Sequence, residues 1–415
     1  MRSRIGRSSM PCSTPVPERL GSRFTTAGAS ASATASTPAW SSWPTAPRLR
    51  NNACDACSAP TRAWGSFVTP TRATTRRSPA RENAGSAGSS ASRLRSAMSR
   101  HARVILRSID QLHTLAPDPS GAPKRGAAME ALGTLARAAL AIGEDGVVQW
   151  AGPDDALPPG LAGPHTQERA CHGQAVIPGF CDAHSHVVWA GDRKQEFVAR
   201  IEGADYEHIL AQGGGIHASV RATRAASEAE LYEASRARVL RMMRSGSLGL
   251  EIKSGYGLEL QTELRQLRVA GRLAAELSLD VQRTCLAAHA VPPEFAGDRD
   301  RFIAQVCDSI LPEVARQGLA QACDVFCDRG ALSVDESRRV LSAGKRLGLQ
   351  LHVHANELGP TGGAELAAEL HALTADHLLH VSDSSRRALA DAGTIAVLLP
   401  GTSLVLGKPY ADGRA

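Results

Sequence analysis

"VIPGFCDAHSHVVWAGDR", residues 176–193, is the stretch on which the reading of this chain turns. An apolar run of the kind a buried strand needs ends in His184-Ser185-His186, and Arg193 follows shortly after. Pro178 and Gly179 argue against a helix here. In an extended segment residues i and i+2 share a face, so both imidazoles can reach one ion. Two surface histidines leaving a strand satisfy the same pattern, so its meaning depends on whether further donors follow downstream.

Past residue 195, long helical stretches alternate with short apolar runs. "SEAELYEASRARVLRMMRSG" opens at Ser227 with Glu230 three residues on, a capping-box spacing, and stops at Gly246. The runs "LGLEIKS", "VQRTCLAAHA", "DVFCD", "LQLHVHANE", "ADHLLHV" and "IAVLLPG" join "VIPGFCDAH" to make seven strands in βα order. That order predicts an α/β fold with a parallel sheet, an incomplete (β/α)₈ barrel of about seven strands. His289 ends one run, His354 ends another with Glu357 three residues later, and His377 sits in a third. Sites in barrels lie at the C-terminal ends of strands, where His184, His186, His289 and His354 fall. His352 shares the face of His354 by alternation and is read as filling the space beneath it. The run Gly213-Gly214-Gly215 lacks the Lys-Ser/Thr of a phosphate-binding loop and is read as a loop that approaches the substrate closely.

Upstream the texture differs. "ARVILRSIDQLHTL" and "AALAIGEDGVVQWAG" read as short strands, the second carrying a Glu-Asp-Gly turn, with a third strand running into the opening motif. Too few to bury a core alone, they are assigned to part of a small β-sandwich domain over 98–176, docked on a barrel over 177–415. The whole 415-residue chain has a net charge of +6, but residues 1–97 hold fourteen Arg, no Lys and three acids, a balance of +11 that leaves −5 for the rest. This Ser/Ala/Thr/Arg/Pro mixture has no apolar period and is expected to be disordered. It reads as GC-rich DNA translated upstream of, or out of frame with, a start at Met98. No nucleic-acid partner is inferred from it, because such tails use Lys as well as Arg with stacking aromatics. The lone "CDAC" at 54–57 lacks a second pair at zinc spacing. Nine scattered cysteines, no apolar span and no signal core make a cytoplasmic location the expectation, without membrane.

Residues 102–410 resemble the imidazolonepropionases, amidohydrolases of histidine degradation. The resemblance rests on "PGFCDAHSHVVWAGDR", "GGGIHASVRATRAASEAEL", "EIKSGYGLEL", "AAHAVPPEF", "DVFCDRGALSVDES", "HVHANE", "GGAELAAELHALTADHL" and "LLPGTSLVLGKPYADGRA". His-x-His after a strand marks only the superfamily, whereas "EIKSGYGL" with "GGGI" and "TADHL" points to this family. The resemblance implies that His184, His186 and His354 bind one Zn²⁺ or Fe²⁺. It further implies that Arg193 and Tyr256 hold the propionate of 4-imidazolone-5-propanoate, that His289 lies beside its ring, and that Glu357 and His377 handle protons around the water that the metal activates. The product would be N-formimino-L-glutamate, made by a homodimer when full length. The residue types suit this chemistry, since a metal polarises an amide carbonyl, a carboxylate moves protons, and an arginine fork matches a carboxylate.

Two departures from the family accompany this. Asn356 stands where the family usually has an acid. The chain also stops at Ala415, before an eighth strand with an aspartate ligand. Asp376, next to His377, is expected to point to the opposite face of its strand, and Asp412 to lie in the terminal loop, so neither is expected to replace that ligand. A deaminase or dihydroorotase-like amidohydrolase shares the His-x-His and the barrel. An inactive fragment with weakly held metal is the remaining reading.

Overall fold

The computed structural model describes residues 101–116, 124–203 and 214–414. The expectations for residues 1–97, including disorder, mistranslation and the Cys54–Cys57 pair, lie outside these, as do Met98 and Gly213.

A five-stranded sheet forms from β1 (Val104–His113), β2 (Thr134–Ile142), β3 (Val148–Pro153), β4 (Gln167–Ala170) and β5 (Ala175–Val176). Its order is β3-β2-β1-β4, with β5 also on β1. β2 and β3 pair antiparallel across the Glu-Asp-Gly turn, where Gly146 takes φ 77° and the Asp145 carboxylate accepts from Val147 N at 3.0 Å. β4 pairs parallel to β1 and is not legible in the sequence, since all four of its residues are exposed and none is a strand-forming apolar residue.

The second sheet holds β6 (Phe180–Asp182), β7 (Ser247–Lys253), β8 (Asp280–Ala288), β9 (Ala322–Cys327), β10 (Gln350–Ala355), β11 (Thr374–His377) and β12 (Ile395–Val397). The seven strands run in sequence order, each parallel to the next, and match the seven apolar runs. Helices fill the crossovers. Leu260–Leu277 packs on β8, Val334–Arg346 on β9 and Gly363–Glu369 on β10. The helix over Glu228–Arg244 starts where the capping-box spacing places it: Ser227 and Glu230 each accept from the other's backbone N–H.

Period-2 alternation separates two environments along these strands. Leu250, Ile252, Cys285, Cys323, Val325, Leu351, Val353 and Ala375 lie in the apolar layers beneath the helices. The intervening positions are polar and equally buried: Glu251, Lys253, Thr284, Asp324, His352, His354 and Asp376. The sheet curls until residues after β6 meet β10 and β11, so these polar side chains share an enclosed inner face. At the edges, Phe180 and Ile395 are exposed, with Leu404 and Val405 on the helix Pro400–Leu406. Among the described residues, no helix is long and apolar enough to cross a membrane.

Candidate active site

β6 ends at Asp182, so His184 and His186 sit just past it rather than on it. The segment is held against β7 by Lys253 N donating to Ser185 O at 3.0 Å and by the Ser185 hydroxyl donating to Glu251 O. Arg238 fixes its far side, donating to the carbonyls of Val187 and Trp189 at 2.8 Å each and stacking over the Trp189 ring. The ring nitrogens then converge. His186 Nε2 is 3.2 Å from His184 Nε2 and 3.3 Å from His354 Nε2.

The opposite nitrogens of two of these rings face carboxylates. His184 Nδ1 is 2.6 Å from Asp376 Oδ2, and His354 Nδ1 is 3.0 Å from Asp324 Oδ2. At His184 the Asp376 carboxylate accepts from Nδ1, which leaves the lone pair on Nε2, whereas His354 Nδ1 lies close to Asp324 without an aligned hydrogen bond. Burial, followed by the charges of neighbouring histidines, holds His186 and His354 well below the usual imidazole range, so both rings are neutral donors. Atoms of His184, His354 and His377 also lie within 4.8 Å of one another, as do those of Asp324, His354 and Asp376. Three converging imidazole nitrogens, with carboxylates beside two of the rings, are a donor set that fits a divalent cation.

Asp376 requires a correction. It lies on the inner face beside His184, fully buried, and His377 reaches the same region from the next position. Alternation fails at His377 because its φ is 74° and that of Leu378 is 56°, a left-handed turn that redirects the side chain inward. Asp412 is exposed in the terminal turn and accepts from Arg414 N.

Glu357 follows β10 and lies 3.6 Å from His377 Nε2. Burial and the nearby Asp328 push its carboxyl up to about 7, against the opposing charge of Lys408. Asp328 Oδ2 in turn accepts from Glu357 N and Leu358 N at 2.7 and 2.8 Å, fixing that loop. Burial, with His184, pulls His377 down to about 3. Asn356 clamps the loop: its φ is 54°, a region asparagine tolerates, and its side chain donates to His380 O and accepts from Ala364 N. His352 touches Glu251 and Gln282 beneath the site.

Tyr256 and His289 stand on the other side of His186, with ring centroids 5.6 Å apart and 5.9 and 5.2 Å from that ring. The Tyr256 turn is clasped from the helix Leu260–Leu277. Glu263 accepts from the N–H groups of Gly255, Gly257 and Leu258 at 3.1, 2.8 and 2.8 Å, and Gln266 from Tyr256 N at 3.2 Å. Burial pulls His289 down to about 4 and raises the Tyr256 hydroxyl, the latter opposed by the charges of Arg193 and Arg238. Arg193 is the outlying member, 44% exposed and paired with Glu196 at 2.6 Å. The other oxygen of Glu196 accepts from Gly215 N at 2.9 Å, at the start of the helix Ile216–Ala225.

Glu251, Lys253, Asp324, Asp328 and Glu263 join the site without having been singled out by the sequence. The first three carry a signal there: they occupy every second position of runs that look simply apolar.

No protein-family model matches the chain. It is 44% identical over 298 residues to the imidazolonepropionase of Desulfotalea psychrophila, covering 72% of each chain. To that of Geobacillus kaustophilus it is 45% identical over 313 residues, 75% of this chain and 73% of the other. To that of Symbiobacterium thermophilum it is 47% identical over 298 residues, 71% and 70%. Among solved structures, guanine deaminase from C. acetobutylicum superposes with a TM-score of 0.50 at 10% identity, over 73% of this chain and 69% of that one. This last likeness concerns the fold alone.

Proposed function

The chain belongs to the imidazolonepropionase family of metal-dependent amidohydrolases, and from that premise we propose that this site opens the ring of 4-imidazolone-5-propanoate to N-formimino-L-glutamate. The observation that carries the reading is the meeting of His184, His186 and His354 through their Nε2 atoms, with Asp376 and Asp324 behind two of them.

We assign those three histidines to one Zn²⁺ or Fe²⁺, either of which suits imidazole. When bound there, the ion supplies a Lewis acid for the amide carbonyl and lowers the pKa of a water towards ~7. Glu357 takes the proton from the attacking water. With its carboxyl at about 7, it gives the proton up again near neutral pH to the ring nitrogen that leaves. His377, neutral and within reach of Glu357, steers that carboxyl. His289 and Tyr256 form the wall opposite, His289 beside the substrate ring and the Tyr256 hydroxyl donating to the propionate. Arg193 supplies the matching charge, the substrate carboxylate replacing Glu196 at its fork. A homodimer in the cytoplasm completes the reading.

The test is turnover by the zinc-loaded chain and by its Fe²⁺ form, followed as loss of imidazolone and appearance of a product heavier by one water. Release of ammonia from aminated rings, with imidazolonepropanoate untouched, would move the chain to the deaminases.

A further inference from the structure

Below the three histidines the inner face of the sheet holds one cation among carboxylates. Lys253 Nζ lies 2.7 Å from Asp324 Oδ2, 3.2 Å from Asp376 Oδ2 and 2.9 Å from Glu251 Oε2. None of these side chains is more than 4% exposed. Burial alone would lower the lysine's pKa, but Asp324, Asp376 and Glu251 together raise it above the ordinary range, which favours the ammonium.

The oxygens that Lys253 touches are the ones that face the histidines. Asp324 Oδ2 is shared between Lys253 Nζ and His354 Nδ1. Asp376 Oδ2 is shared between Lys253 Nζ and His184 Nδ1. The lysine therefore touches both carboxylates that stand behind the rings, Asp376 hydrogen-bonded to His184 Nδ1 and Asp324 3.0 Å from His354 Nδ1. Two buried carboxylates placed side by side repel strongly in a low-dielectric interior. A cation between them lets both oxygens stay close together and aimed at the rings. Without it, they relieve the repulsion by swinging apart, and the rings lose the partners that orient them.

We propose that Lys253 is a positioning residue of the metal centre, holding Asp324 and Asp376 in the arrangement that aims His354 and His184 at one ion. This rests on the reading of the three histidines as metal donors. The position of Lys253 explains why a charged residue alternates with Ile252 in a strand otherwise suited to an apolar core: its charge is spent on geometry, not on contact with substrate.

The experiment measures Zn²⁺ affinity of the 415-residue chain by competition with a chromogenic chelator, together with the visible spectrum of its Co²⁺ form. Lys253→Met is expected to weaken Zn²⁺ binding about 10- to 100-fold and to change the Co²⁺ bands, with far-ultraviolet circular dichroism unchanged. A lysine that serves packing alone would alter folding without moving the spectrum of the folded fraction. If Lys253→Met does not fold, Lys253→Gln carries the same comparison, since it keeps an N–H donor for the carboxylates while removing the charge. Wild-type affinity and wild-type Co²⁺ bands in either folded variant overturn the proposal while leaving the histidine donors in place. If the unsubstituted chain takes up neither ion, the donor reading fails and this inference fails with it.

Discussion

In the proposed reaction Glu357 owes its chemistry to its surroundings more than to its type. A carboxyl pushed up to about 7 is half ionised near neutrality, where a group that must both take and return a proton works best. Glu357→Gln is expected to lower kcat by ~10²–10⁴-fold with metal content unchanged. The rise of kcat/KM as pH climbs towards 7 should vanish with it. Stability should move the other way. The folded pKa lies above the ordinary 4.5, so the contribution is full below that value and is lost as pH rises through about 7. Glu357→Gln should therefore show a smaller fall in unfolding midpoint between pH 5 and 8 than the parent. Arg193→Ala is expected to raise the half-saturating substrate concentration ~10-fold or more, a loss of at least ~1.4 kcal/mol, without changing metal content. An unchanged half-saturation would place the propionate elsewhere. At this scale the sequence is legible where residues end strands, as at His289 and His354, and misleading where backbone geometry decides. No spacing announces that His377 takes a positive φ, which is why strict alternation puts Asp376 on the wrong face.

The strands of the seven-stranded sheet are legible because each is an apolar run between helical stretches, and Ser227 with Glu230 marks a helix start that the structure contains. The inner polar face is harder to see. In "LEIK", "CDVF" and "LHVH" the alternation is present, but four residues of it are easily taken for a broken apolar run. Glu263 is beyond reach in a different way, since its partners are backbone N–H groups of a turn that no side-chain pattern reveals. Three N–H groups donate to its two oxygens, so Glu263→Gln must turn an amide NH₂ towards at least one of them. This substitution is expected to lower the urea midpoint by the equivalent of ~1–3 kcal/mol and to raise KM through displacement of Tyr256, with Zn²⁺ affinity retained. Equal losses of metal and of substrate affinity would show that the turn supports the whole site and not the tyrosine alone.

Across the molecule, two sheets divide the labour: among the described residues the converging donors lie on strands of the seven-stranded sheet or, as His184 and His186 do, just past its first strand, and none lies on the five-stranded one. Among the described residues β6 and β12 each pair on one side only. Exposed apolar side chains at both edges invite association between copies. Ile395→Lys, at an edge position 42% exposed, is expected to reduce light scattering by concentrated protein without altering circular dichroism. The donors also come from far apart. His186 and His354 are separated by 168 residues, and His184 and Asp376 by 192. An ion held between them joins the first strand of the seven to the fifth, and so behaves as a reversible cross-link closing a very long loop. At an ion concentration about 100 times the dissociation constant such a link stabilises the folded chain by ~2.7 kcal/mol. Chelation should accordingly lower the thermal midpoint. The accompanying gain in amide hydrogen exchange should be concentrated in β6 and its contacts with β7, while the middle of the sheet, held by neighbours on both sides, keeps its protection.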